Sequence, residues 1–176
     1  MKVIYIGIAT GENRWLHSAA ETCRNQGYDI HVNQSTSETL DAEEKKCAEI
    51  LDEVKTCDFI LMKNHGTITY FKKFDRLLAA IKADTIPTLI HSNVPEEMVD
   101  TRALFPYGDE EYHRFLAYLS IGCEENTTSL LLSVLQIITG LEITIPPVHH
   151  LPTEGFYHPS LPGSLSYADH ITRLDP

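Results

Sequence analysis

The chain has 176 residues, 43% of them hydrophobic, and a formal net charge of −11. That length suits one domain with a sizeable core, and the hydrophobic share excludes wholesale disorder. The acidic balance argues against a nucleic-acid groove or an anionic membrane surface as the main partner.

Lys2–Ala9 is rich in Val and Ile and reads as a first buried strand. Asn13 is a candidate N-cap for a helix on which Trp15, Leu16, Ala19, Ala20 and Cys23 recur at helical spacing, with Gly27 as its stop. The turn between strand and helix carries one glycine, Gly11, so neither GxGxxG nor GxxxxGK[ST] is present. ATP binding by either route is not expected. Tyr28–Val32 reads as a weaker second strand, Asn33–Thr39 as a loop, and Leu40–Val54 as one amphipathic helix with its acids crowded into the first turn.

Phe59–Met62 is a short, almost unbroken apolar run that Lys63-Asn64-His65-Gly66 ends abruptly. This pattern predicts a third strand buried on both faces. Phe71, Phe74, Leu77, Leu78 and Ile81 mark the next helix, and Ile86–Ile90 the fourth strand, ended by His91-Ser92-Asn93. Pro95 opens a short helix. Beyond Phe105–Gly108 the alternation of strand and helix stops. Asp109 is the expected cap of a helix bearing Tyr112, Phe115, Leu116 and Leu119, which ends at Gly122. Asn126 or Thr127 starts an almost wholly apolar one, Leu130–Ile138, closed by Gly140. As an N-cap, Asn126 is expected to contribute about 1 kcal/mol. Glu142–Ile145 reads as a last short strand.

The expected organisation is an α/β domain over 1–145 and a Pro/His-rich extended arm or linker over 146–176. Strands alternating with helices predict an open, mainly parallel three-layer sheet of flavodoxin-like or Rossmann-like order, with extra C-terminal helices. Cys23, Cys47, Cys57 and Cys123 have no metal-ligand spacing and read as small core residues of a reducing compartment. The longest apolar stretch, Leu130–Ile138, is too short to span a bilayer, and the N-terminus does not resemble a signal peptide. A soluble, cytoplasmic chain is the expectation.

In open α/β sheets ligands sit beyond the carboxyl ends of the strands. The third and fourth strands both end in histidine there, so Asn64, His65, Gly66, His91 and Asn93 are the candidate ligand-binding residues. Imidazoles bind metals or move protons, which makes His65 and His91, with His158 of the arm, the candidate metal ligands. The same Asn-His-Gly group also suits a plain polar turn, and both readings stand at this point. Glu96-Glu97 and Glu124-Glu125 read as charges at helix N-termini rather than as acid/base pairs.

Tyr118-Leu119-Ser120-Ile121-Gly122-Cys123-Glu124-Glu125-Asn126 resembles the Y-L-x-x-G-G-x-x-N segment of the cobaltochelatase and magnesium-chelatase large-subunit family. Leu151–Pro159 is similar to that family's P-x-x-G-I-Y-H-P segment, in the same order and at similar separation. Cys57–Tyr70 resembles its apolar strand and polar, glycine-bearing loop. Cys123 departs from the pattern by replacing the second glycine. The resemblance implies ATP-dependent insertion of a divalent metal, Co²⁺ or Mg²⁺, into a tetrapyrrole of the cobalamin or chlorophyll type. It implies a large subunit that holds the macrocycle and separate AAA+ partners that hydrolyse ATP. Family large subunits are several times longer, so this chain corresponds to an N-terminal piece with no intrinsic cofactor and no inherited catalytic residue. Alone, it is expected to show neither chelatase nor ATPase activity. Two further readings fit the same fold: a free-standing module that binds a flavin, metal or tetrapyrrole, and an assembly domain.

Overall fold

Among the described residues four strands form one sheet in the order β2-β1-β3-β4, with β1 Lys2–Gly7, β2 His31–Thr36, β3 Phe59–Lys63 and β4 Thr88–His91. All three pairings are parallel. The protein is described here from a computed structural model, which describes residues 1–7, 13–64, 66–150 and 172. Among the described residues seven α-helices flank the sheet: α1 Asn13–Asn25, α2 Ser37–Ala42, α3 Glu44–Val54, α4 Phe74–Asp84, α5 Pro95–Thr101, α6 Asp109–Ser120 and α7 Glu124–Thr139. This is the open parallel α/β architecture, with strand order of the flavodoxin-like kind.

Strand periodicity divides the core in two, because alternate side chains leave opposite faces. Val3, Tyr5, Phe59, Leu61 and Leu89 pack on one face under α1, α6 and α7. Ile4, Ile6, Ile60, Met62 and Ile90 pack on the other under α2, α3 and α4. Every residue of β3 is buried, as expected of a central strand covered on both faces. On the first face Phe105 meets Phe59 and Phe115 edge to face, with ring centroids 6.2 and 5.4 Å apart.

Several expected boundaries move. The second strand is His31–Thr36, so the whole of the expected Asn33–Thr39 loop is strand and helix. Its polar Asn-Gln-Ser run is tolerated because β2 is an edge strand, paired on one side to β1 from Lys2↔His31 to Gly7↔Thr36. The expected helix over 40–54 is two, interrupted at Glu43, whose backbone is extended at φ −113°, ψ 102°. No Gly or Pro marks that break. Instead Thr36 caps α2, its Oγ1 accepting the Thr39 N–H at 3.1 Å, and fixes an earlier start. The helix after β3 begins at Phe74, while the buried Phe71 precedes it. Both Asp41 carboxylate oxygens accept N–H groups, of Lys72 and Lys73, at 2.9 Å. β4 starts at Thr88, with the Pro87 carbonyl accepting the Ile60 N–H. His91 therefore ends the strand rather than following it.

Gly108, not Asp109, is the residue before α6, and Asp109 instead accepts from Arg102 at 2.7 Å. Gly140 closes α7 at φ +71° as expected. Residues 140–150 form no strand; Ile143 and Ile145 pack on the α1/α6/α7 core, and the Gln136 amide donates to the Ile143 carbonyl at 3.3 Å. The segment is held by this side-chain packing and amide bond, not by a strand ladder. The end of the first expected strand, beyond Gly7, and the Asn13 side chain fall outside the described residues. Among the described residues no helix is long and apolar enough to cross a membrane. The four cysteines are buried and free, and burial pushes the Cys23 and Cys57 thiols up to about 11, as suits inert core residues.

Candidate functional site

The chain leaves β1 toward β2 on one side and returns to β3 on the other, so the order reverses between β1 and β3. Ligands of open α/β sheets bind beyond the carboxyl ends at such a point. There the in-register pair Lys63↔His91 closes the β3–β4 ladder, and the Asn64 N–H donates to the His91 carbonyl at 2.8 Å. Since Leu61 and Leu89 face α1, α6 and α7, Lys63 and His91 leave the sheet on that same face. Lys63 and His91 thus stand in neighbouring register at the carboxyl edge.

Lys63 was missed as a site residue in the sequence, where it reads as the first polar residue after an apolar run. It belongs to the strand and is 6% exposed. Its surroundings are Tyr5, Trp15, Leu61, Tyr118 and Gly122, which line a cavity of about 20 Å³. That volume holds about one water, so a larger ligand must meet this edge from outside. A Cβ on Gly122 would lie 2.9 Å from the Trp15 ring and 3.3 Å from the Lys63 Nζ. The glycine of the Tyr118–Asn126 segment is therefore what lets the lysine head and the indole approach the α6–α7 turn.

Two loops complete the edge, and Glu97 of α5 joins them. Its carboxylate accepts the Ile68 N–H at 2.9 and 3.0 Å, the Thr67 hydroxyl, and the Ser92 hydroxyl at 2.6 Å. The Ser92 oxygen also lies 3.2 Å from the Gly66 carbonyl and accepts the Val94 N–H. Burial pushes the Glu97 carboxyl up, but the hydrogen bonds from Ser92, Thr67 and the Ile68 N–H outweigh it and hold the group below the ordinary range. Glu97 was expected to be only a helix N-terminal charge. The geometry makes it the tie between the β3 and β4 loops. Gly66 has φ +85°, which a residue with a Cβ rarely adopts, and the Asn64 amide reaches its carbonyl at 3.4 Å.

Of the sequence-selected residues, Asn64, Gly66, His91 and Asn93 gather at this edge. Asn64 is buried, His91 half-buried and Asn93 exposed. His65 and His158 lie outside the described residues, which leaves His91 the one described member of the candidate metal set. Among the described residues no group of three His, Cys, Asp or Glu is placed to hold a metal ion.

Asn126 does not cap α7. Cys123 precedes the helix, its Sγ accepting the Asn126 N–H at 3.5 Å, and Asn126 lies within the first turn, fully buried. Its amide donates to the carbonyls of Ile121, at 3.1 Å, and His149, at 2.8 Å, and its oxygen accepts the His149 N–H at 2.8 Å. The Tyr118 hydroxyl donates to the Pro146 carbonyl on the same segment. Residues 146–149 are thus strapped to α6 and α7 by the first and last residues of the Tyr118–Asn126 segment.

No family model matches the sequence, and no curated protein matches it significantly. Among solved structures the chain is similar to the catalytic subunit of cobaltochelatase from Mycobacterium tuberculosis, with a TM-score of 0.57 and 12% identity. The match covers 90% of this chain and 12% of that one, so this chain spans about an eighth of its neighbour. At that identity the likeness is one of fold.

Proposed function

We propose that this chain is a domain of a chelatase-type large subunit, or a stand-alone relative of one, whose carboxyl edge contributes to holding a tetrapyrrole while other parts of the assembly insert a divalent metal. The observation that carries the reading is the pairing of fold and segment. The fold resembles a cobaltochelatase catalytic subunit over 90% of the chain. Asn126 of the first chelatase-like segment also holds the backbone of His149, which in the sequence stands two residues before the second begins.

On this reading Lys63 and His91 supply positive or donor groups to the carboxylates of an anionic macrocycle, with Asn64 and Asn93 beside them. Glu97 positions the Gly66 and Ser92 loops so that these groups keep one geometry. The metal is substrate, delivered from outside. On this reading the insertion step falls to the rest of the assembly. AAA+ subunits and the remainder of a larger subunit are the partners implied.

The test is an absorbance titration of the purified chain with a dicarboxylate porphyrin, with and without Co²⁺ or Mg²⁺. A shifted porphyrin band that weakens in Lys63→Met and His91→Ala is expected, with no metal insertion. A band that does not move would remove the macrocycle from the proposal. Insertion by the chain alone would overturn the domain reading.

A further inference from the structure

One apolar surface is not absorbed by the carboxyl-edge site. Pro95, Met98, Val99 and Arg102 of and after α5, together with Tyr112 of α6, line an open groove of about 510 Å³. Val99 is 74% exposed there, against 0–9% for the aliphatic residues of the core. The groove floor is rigid: Arg102 stacks on the Tyr112 ring at 4.4 Å and donates to the Phe105 and Tyr107 carbonyls. It also donates to Asp109, so its charge is already engaged.

What surrounds the groove is acidic. α5 carries Glu96, Glu97 and Asp100 and no basic residue, and the first turn of α6 carries Asp109, Glu110 and Glu111. An apolar floor beside one sign of charge selects a partner that presents the opposite sign next to its apolar residues. A second copy of this chain would bring its own net −11 to the contact. Residues 151–176 contain one Arg against three Asp or Glu. Neither occupant complements the rim.

We propose that this groove docks a separate protein segment, helical and amphipathic, with Lys or Arg flanking its apolar face. The same short helix then has two jobs. Val99 and Met98 face the partner, while Glu97 holds the loops of the carboxyl edge, so a docked partner sits one helix away from the site.

The test uses a synthetic Leu/Lys amphipathic peptide and a Leu/Glu control, read by fluorescence anisotropy on the whole chain and on Val99→Asp and Val99→Lys. Val99 is mostly exposed, so both variants should fold, and far-UV circular dichroism checks this. The Leu/Lys peptide should bind, the Leu/Glu peptide should not, and both variants should weaken binding by about fivefold or more. General attraction to an acidic protein makes a different prediction, because Val99→Asp adds a negative charge and would tighten binding. Unchanged or tighter binding in Val99→Asp, equal binding of the Leu/Glu peptide, or self-association that Val99→Asp abolishes would each overturn the proposal.

Discussion

Asn126 and Glu97 each make several hydrogen bonds to chain segments outside their own helices, yet they differ in charge and burial. Asn126 is neutral and fully buried, and its three side-chain bonds go to backbone groups of Ile121 and His149. Glu97 is charged and half-buried, and it gathers two hydroxyls and a backbone N–H from the loops at the carboxyl edge. A neutral clamp whose amide is fully buried costs most when it is broken, because its partners lose their bonds. A charged clamp near water costs less but responds to pH. The chain uses the first kind to fix its strap and the second to hold its candidate site.

Removing the neutral clamp should have the largest effect. Asn126→Ala removes a fully buried amide and leaves backbone groups of Ile121 and His149 without that partner, and should cost about 2–4 kcal/mol. That exceeds the value expected of an N-cap, and urea unfolding measures it; a loss below about 1 kcal/mol would return Asn126 to a capping role. Gly122→Ala should come next, at about 1–3 kcal/mol, because the added methyl overlaps Trp15. Trp15 is the sole tryptophan, so its fluorescence should shift in the folded variant. An unchanged spectrum and midpoint would mean the turn yields freely.

The charged clamp gives a smaller, pH-dependent effect. The folded-state pKa of Glu97 is lowered, so its contribution is present above the unfolded value of about 4.3 and is lost as pH falls through the lower folded value. Glu97→Gln should cost about 1 kcal/mol near neutrality and should flatten the acid limb of the stability curve below the ordinary Glu range. A variant whose acid limb matches the parent would detach Glu97 from both loops. Smallest of all, the buried Cys23 and Cys57 thiols should stay unreactive toward an aromatic disulfide at pH 8 until the chain unfolds. Rapid labelling of the native chain would contradict their burial.

Much of the fold was legible because its signals are local. β3, the Gly27 and Gly140 stops, and the apolar α7 each rest on a short run of residues whose burial period or missing Cβ decides the outcome. β2 was misplaced because its polar residues sit on a sheet edge, which is a property of the neighbours and not of His31–Thr36. The break at Glu43 was hidden because Leu40 and Cys47 keep helical spacing across it. At the site, Asn64, Gly66 and His91 were found from the strand ends. Lys63 and Glu97 were not, since a lysine ending a strand and a glutamate opening a helix look ordinary until their partners are known. The strap was invisible for the same reason: nothing in Asn126 or His149 alone points to the other.

The carboxyl edge as the place where a macrocycle is met is the claim on which the rest depends. A ¹H–¹⁵N correlation spectrum of the whole chain, recorded during addition of a dicarboxylate porphyrin, tests it most directly. The account predicts that the amides of Asn64, Gly66, His91, Ser92 and Asn93 move together and saturate, with those of β2 and the amino-terminal edge of the sheet unchanged. Shifts confined to β2 or to the strand amino ends, or no saturable shift anywhere, would contradict it.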